Sequence, residues 1–119
     1  MARRPIPVSL GPDPNTRAPK WKLPPGACDT HAHVFGPPDL FPFSEDRRYT
    51  PPAAPPEHYR NMQKVTGLER VVFVTPTAHG HDNSVILDAI RQIGPGARGI
   101  ANIDARHDDR ALEIGRAHV

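Results

Sequence analysis

Fourteen of the sixteen prolines fall before Glu57. Proline locks φ, removes an N–H donor and pushes the residue before it towards extended backbone. Helices are therefore confined to the second half of this 119-residue chain, and the first half has to be built from extended segments and loops. Residues 1–25 hold Pro5, Pro7, Pro12, Pro14, Pro19, Pro24 and Pro25 and read as a proline-rich arm. With few apolar groups apart from Trp21 and Leu23, residues 1–19 are expected to be disordered or loosely packed. Trp21 is expected to lie against a neighbouring surface.

The first gap in the proline pattern, residues 26–33, reads Gly-Ala-Cys-Asp-Thr-His-Ala-His and is the predicted first strand. Side chains alternate faces along a strand, so His31 and His33 point the same way, with Asp29 beside them. Two imidazoles on one face can share a metal ion or clamp one substrate oxygen. Equally, they can be polar groups at a strand edge. Asp29 is either an acceptor that orients an imidazole or a polar residue at a strand start. Cys28 reads as a small core residue. Gly36 and Pro37 stop the strand. That places the histidines at its C-terminal end, where parallel α/β folds keep their chemistry.

Residues 34–56 form a loop well beyond ordinary connection length. Phe35, Leu40, Phe41, Phe43 and Tyr49 make it too apolar for a solvated linker, and it is expected to fold over the mouth of the site. Arg47, Arg48 and Tyr49 could meet an anionic substrate through guanidinium–carboxylate pairing. The alternative is that the arginines are solvated.

Regular structure dominates from Pro56 onward. Pro56 suits the first helical position, Glu57 complements the positive helix end and Gly67 supplies the stop, so residues 56–66 are a predicted helix. Tyr59, Met62 and Val65 form its apolar face, with His58 and Lys64 towards solvent. Residues 69–75 contain the unbroken run Val-Val-Phe-Val, as in a strand covered on both faces. A second helix follows, capped by Asp82, Asn83 or Ser84, with Ile86, Leu87, Ile90 and Ile93 on one face. Residues 98–104 are a third strand, and a third helix starts near residues 108–111. Val71 and Ile100 are twenty-nine residues apart, close to one βα unit of a barrel of ~250 residues. The class is α/β with a parallel sheet and right-handed crossovers.

The totals exclude several classes. A formal net charge of +2, with no basic stripe interleaved with aromatics, gives nucleic-acid binding no support. One cysteine allows no internal disulfide. No apolar run approaches a membrane span or a secretory leader. The expectation is a soluble cytoplasmic protein with no membrane and no nucleic-acid partner.

Four blocks together resemble the amidohydrolase-2 family, most like its 2-pyrone-4,6-dicarboxylate lactonase and sugar-lactone branch. They are Asp-Thr-His-Ala-His-Val-Phe-Gly-Pro at 29–37, Phe-Pro-Phe through Arg-Tyr-Thr-Pro at 41–51, His-Gly-His-Asp-Asn leading into Leu-Asp-Ala-Ile at 79–90, and residues 98–104. The resemblance implies a (β/α)₈ TIM-type barrel, of which residues 26–113 are the N-terminal part, about three βα units. It implies a hydrolase that attacks a lactone or related carbonyl with water. His31 and His33 are the implied catalytic pair, either ligating zinc or another divalent ion or, as in the lactonase branch, polarising the carbonyl without metal. Tyr49 and Thr77 are the implied contacts to a small anionic carbonyl substrate. Thr75 and Pro76 depart from the Gln-Ala usual there. His79 fits the motif either as a ligand or as a structural residue. The family's later histidines, arginines and strand-eight aspartate base have no counterpart here, so activity is expected to require further chain.

Residues 114–119, Ile-Gly-Arg-Ala-His-Val, match the translated start of a common sequencing adapter and are expected to be a non-native tail. The alternative is an ordinary frayed helix end. Two other functions stay open: a decarboxylase of the same superfamily, and a small metal-binding module using His31, His33, His79 and His81.

Overall fold

The computed structural model describes residues 4–106 and 109–110. Strand β1 (Cys28–Ala32) leads through the long loop to helix α1 (Pro56–Thr66) and strand β2 (Arg70–Val74). A 3₁₀ turn (Thr77–His79), helix α2 (Ser84–Ile93) and strand β3 (Ala97–Ile100) follow. The sheet is parallel in the order β1-β2-β3, the consecutive arrangement of neighbouring βα units. Helix α1 has the bounds its sequence predicts: proline at its start and Gly67 at φ 81° closing it, with its N–H donated to the Gln63 carbonyl.

The helices cover one face of the sheet. Phe73, Val71, Ala32 and Ala97 from the strands pack with Tyr59 of α1 and Val85, Ile86, Ala89 and Ile90 of α2. The Tyr59 and Phe73 rings meet edge-on at 5.1 Å. Val72 and Val74 project to the opposite face and are only half-buried, so the run predicted to be covered on both sides is fully covered on one. On α2 the buried set is shifted: Val85 and Ala89 are buried and Leu87 is half-buried. Small side chains at these positions let α2 sit close to the sheet.

The first two strands are shorter than predicted at both ends, and the third starts one residue earlier, at Ala97, and ends four earlier. β3 stops at Ile100, which pairs with Val74. The chain leaves the ladder there because Asn102 is recruited into a polar cluster at the strand ends. Its Nδ2 donates to the carbonyls of Thr75 and Gly80, and its backbone N–H donates to Asn83 Oδ1. Asn83 Oδ1 also accepts from the buried Thr75 hydroxyl at 2.6 Å, and its Nδ2 donates to the carbonyls of His81 and Asn102. Asn83 is therefore spent on the strand ends, and Asp82 Oδ1 accepts from the N–H and hydroxyl of Ser84 at the start of α2.

Two expectations about the arm are corrected. Trp21 lies 81% exposed, not against a neighbouring surface. Residues 7–9 are not loose. Thr50 donates its N–H to the Pro7 carbonyl at 2.8 Å, and Ser9 donates its N–H to the Thr50 carbonyl at 3.1 Å. Prolines cannot donate, but the single non-proline donor at Ser9 and the Pro7 acceptor suffice for a parallel bridge. The expected third helix lies largely outside the described residues, and the expected tail at 114–119 lies wholly outside them.

Candidate functional site

Residue His33 lies one position beyond the end of β1. Its ring meets that of His31 edge-on at 5.1 Å, and both side chains are exposed. The β1–β2 register is irregular between Asp29 and Ala32, just where the histidines begin. The His33 Nδ1–H donates to the carbonyl of Val74, the last residue of β2, at 2.8 Å. A carbonyl only accepts, so Nδ1 carries a proton, and in a neutral ring Nε2 is then the unprotonated nitrogen. Val74 thus fixes both the orientation and the tautomer of His33.

Asp29 does not orient an imidazole; it is a polar residue at the strand start. Its Oδ1 accepts the backbone N–H of His31 and its Oδ2 accepts the Tyr59 hydroxyl, each at 3.1 Å. Burial, and then the Asp29 charge, hold the Tyr59 phenol far above its ordinary value, so it remains a donor. Asp29 therefore ties the backbone of the first histidine to the core of α1.

From His33 the aromatic contacts continue to Phe35 at 5.8 Å and from Phe35 to Tyr49 at 6.3 Å. This places Tyr49, one of the expected substrate contacts, on the same ring series as the histidine pair. Thr77 is exposed on the 3₁₀ turn three residues after Val74, at the same end of the sheet but outside that series. Arg47 is tied within its own loop, donating Nε to Thr50 Oγ1 and Nη1 to the Ser44 carbonyl, both at 3.0 Å. Arg48 is exposed.

The loop is fastened at three places. Phe35 and Ala54 exchange backbone hydrogen bonds at its neck. Ser44 donates its N–H to the Ala78 carbonyl at 2.7 Å. The third is His79, 3% exposed, whose Nδ1–H donates to the Pro42 carbonyl while Nε2 accepts the N–H of Gly36. Its ring lies between Phe35 and Phe43. Gly36 can approach because it has no side chain: at φ 52°, a Cβ would sit 3.0 Å from the nitrogen of Pro38. Burial lowers the His79 pKa, so the ring is held neutral. This resolves its two readings in favour of structure, and nothing in the sequence around it announced two partners.

Among the described residues no group of three or more His, Cys, Asp or Glu side chains could hold a metal ion. The four-histidine module is thereby corrected: His79 has both nitrogens committed, and His81 lies 3.8 Å from Asp104. Among the described residues no helix is long and apolar enough to cross a membrane.

Comparison with known proteins places this geometry. The family model described as Amidohydrolase matches residues 28–119. The chain is 48% identical over 86 residues to 4-sulfomuconolactone hydrolase of Hydrogenophaga intermedia, covering 72% of this chain and 28% of that protein. It is 40% identical over 99 residues to 2-pyrone-4,6-dicarboxylate hydrolase of Comamonas testosteroni, covering 83% and 32%. A crystal structure of a probable 2-pyrone-4,6-dicarboxylic acid hydrolase from Acinetobacter baumannii, with citric acid bound, superposes with a TM-score of 0.70 at 28% identity, covering 78% of this chain and 34% of that one. The chain thus spans about a third or less of the length of these curated relatives.

Proposed function

The chain belongs to the amidohydrolase family, and on that premise we propose that it forms the carbonyl-binding part of an enzyme that opens a small carboxylated lactone with water. The observation that carries the reading is the exposed pair His31 and His33, with His33 held in one tautomer by Val74. The relatives named for lactone hydrolysis support it.

The tautomer divides the work. Neutral His33 presents an acceptor at Nε2, suited to a hydrogen bond that positions the attacking water without taking its proton; it donates to a carbonyl oxygen only as imidazolium. His31 is the freer of the two and supplies the hydrogen bond that polarises the lactone carbonyl as negative charge develops on its oxygen. Tyr49 and Thr77 contact the substrate's carboxylate and ring. The general base lies in further chain, since Asp29 is committed to Tyr59 and the His31 backbone. Two imidazoles do not complete the three protein ligands of a catalytic zinc site. No step is assigned to a metal, although a divalent ion held by this pair would polarise the same carbonyl.

The test is titration of the chain with 2-pyrone-4,6-dicarboxylate, followed by imidazole NMR resonances. Shifts at His31 and His33, abolished by replacing either with alanine, are expected. In the enzyme extended to a whole barrel, each alanine variant should lower kcat/KM by about 10²–10³-fold. Binding that leaves both histidine resonances unmoved would sink the reading, and release of carbon dioxide instead of ring opening would favour a decarboxylase.

A further inference from the structure

We propose that the N-terminal segment around Ser9–Pro12 is a specificity-determining wall of the His33 cleft, shaped for the ring of a small carboxylated lactone. This rests on the lactone-opening reading. A cleft of about 320 Å³ is lined by His33 and Phe35 together with Ser9, Leu10, Gly11 and Pro12. These residues precede the family match, which begins at residue 28.

Three features make this a built wall. Two backbone hydrogen bonds between residues 7–9 and Thr50 hold the segment to the same loop that carries Tyr49. Gly11 packs so tightly on the loop that a Cβ would lie 3.0 Å from Pro52 Cγ. The segment's apolar side chains contribute nothing to the core: Val8 is 77% and Leu10 99% exposed. A segment held by its backbone while Leu10 is left at the cleft rim is organised around the cleft rather than around its own burial. The chemistry offered is an apolar flank from Leu10, a hydroxyl from Ser9 and an imidazole opposite. That suits a flat ring with a polar substituent, and substrates differing on the arm-facing edge are the ones this wall discriminates.

The experiment is diethylpyrocarbonate modification of the full 119-residue chain, read residue by residue by mass spectrometry. Exposed His81 is the internal reference and buried His79 reports that the fold is intact. Ser9→Pro removes the donor to Thr50, and Gly11→Val pushes the segment off Pro52. With His79 still slow, either variant should raise the His33 to His81 rate ratio about fivefold, the opening expected from losing one backbone hydrogen bond. In the unaltered chain 2-pyrone-4,6-dicarboxylate should protect His33, and the variants should need about fivefold more of it for the same protection. An unchanged ratio in both variants overturns the wall. Faster modification in the variants without lactone protection of the unaltered chain leaves the wall standing and overturns the lactone reading. Because the two lesions lie on different contacts, a variant whose His79 becomes reactive is set aside and the other decides.

Discussion

Histidines 33 and 79 leave neighbouring parallel strands at the same end of the sheet, and each donates Nδ1–H to a backbone carbonyl. Their other nitrogens meet opposite fates. In His79, Nε2 accepts the Gly36 N–H inside a cage of Phe35 and Phe43. In His33 the ring is exposed, beside a second imidazole. One histidine is consumed in holding a loop; the other is oriented and then left available. The difference shows that spacing and residue type do not make a reactive histidine: what matters is whether the second nitrogen is already occupied.

The sharpest way to break this contrast is His79→Ala. It strands the Gly36 N–H and the Pro42 carbonyl and opens a void between two aromatic rings, and should cost about 3 kcal/mol. A urea midpoint shifted by less than about 1 kcal/mol, when converted with the unfolding slope, would show that the loop does not depend on this residue. Next comes Asp29→Ala, which leaves the Tyr59 hydroxyl and the His31 N–H without their carboxylate and should cost about 2 kcal/mol. Tyr59→Phe in the same background should recover part of it, giving a coupling of about 1 kcal/mol in a double-mutant cycle. Additivity of the two changes would sever the link between α1 and the first histidine.

Acid tests the same contrast more gently, because it keeps the ring and removes only its acceptor. The folded-state pKa of His79 lies below the unfolded value of about 6.5. The folded state therefore binds fewer protons, its stabilisation is whole above that value, and it drains away as pH falls through the folded-state value. Denaturation midpoints measured downward from pH 7.5 should fall more steeply in the unaltered chain than in His79→Gln; parallel curves would assign the acid sensitivity elsewhere. The smallest effect belongs to His33→Ala. Water can replace its single hydrogen bond to Val74, so stability should change by less than about 1 kcal/mol. A larger loss would make His33 a fastener like His79 and remove the distinction.

Much of the scaffold was legible because local chemistry and tertiary packing agree. Pro56, Glu57 and Gly67 define α1 by themselves, and the β-branched Val-Val-Phe-Val run between two helical stretches reads as a strand. The histidines do lie together, their rings 5.1 Å apart, although His33 is already past the end of β1 and alternation alone does not set its direction. What could not be read is long-range and polar. His79 binds atoms more than thirty residues earlier in the chain. Asp29 bonds Tyr59, thirty residues later, and the His31 N–H, beside an irregular register that no spacing announces. The arm's bridge to Thr50 depends on a loop conformation that no periodicity encodes. Asn83 looked like a helix cap because it stands at the right place for one, and its true partners lie across the strand ends.

That cluster of Thr75, Asn83 and Asn102 has a consequence for how such a chain can drift. Each amide group faces a partner of fixed polarity: carbonyls opposite the nitrogens, and a hydroxyl and an N–H opposite the Asn83 oxygen. Aspartate at 83 or 102 would set an acceptor against acceptors, and a shorter side chain would abandon several bonds at once. The three positions are therefore coupled through one network. A lineage can exchange the whole set for another way of closing these strand ends, but single steps away from it pass through a weakened protein.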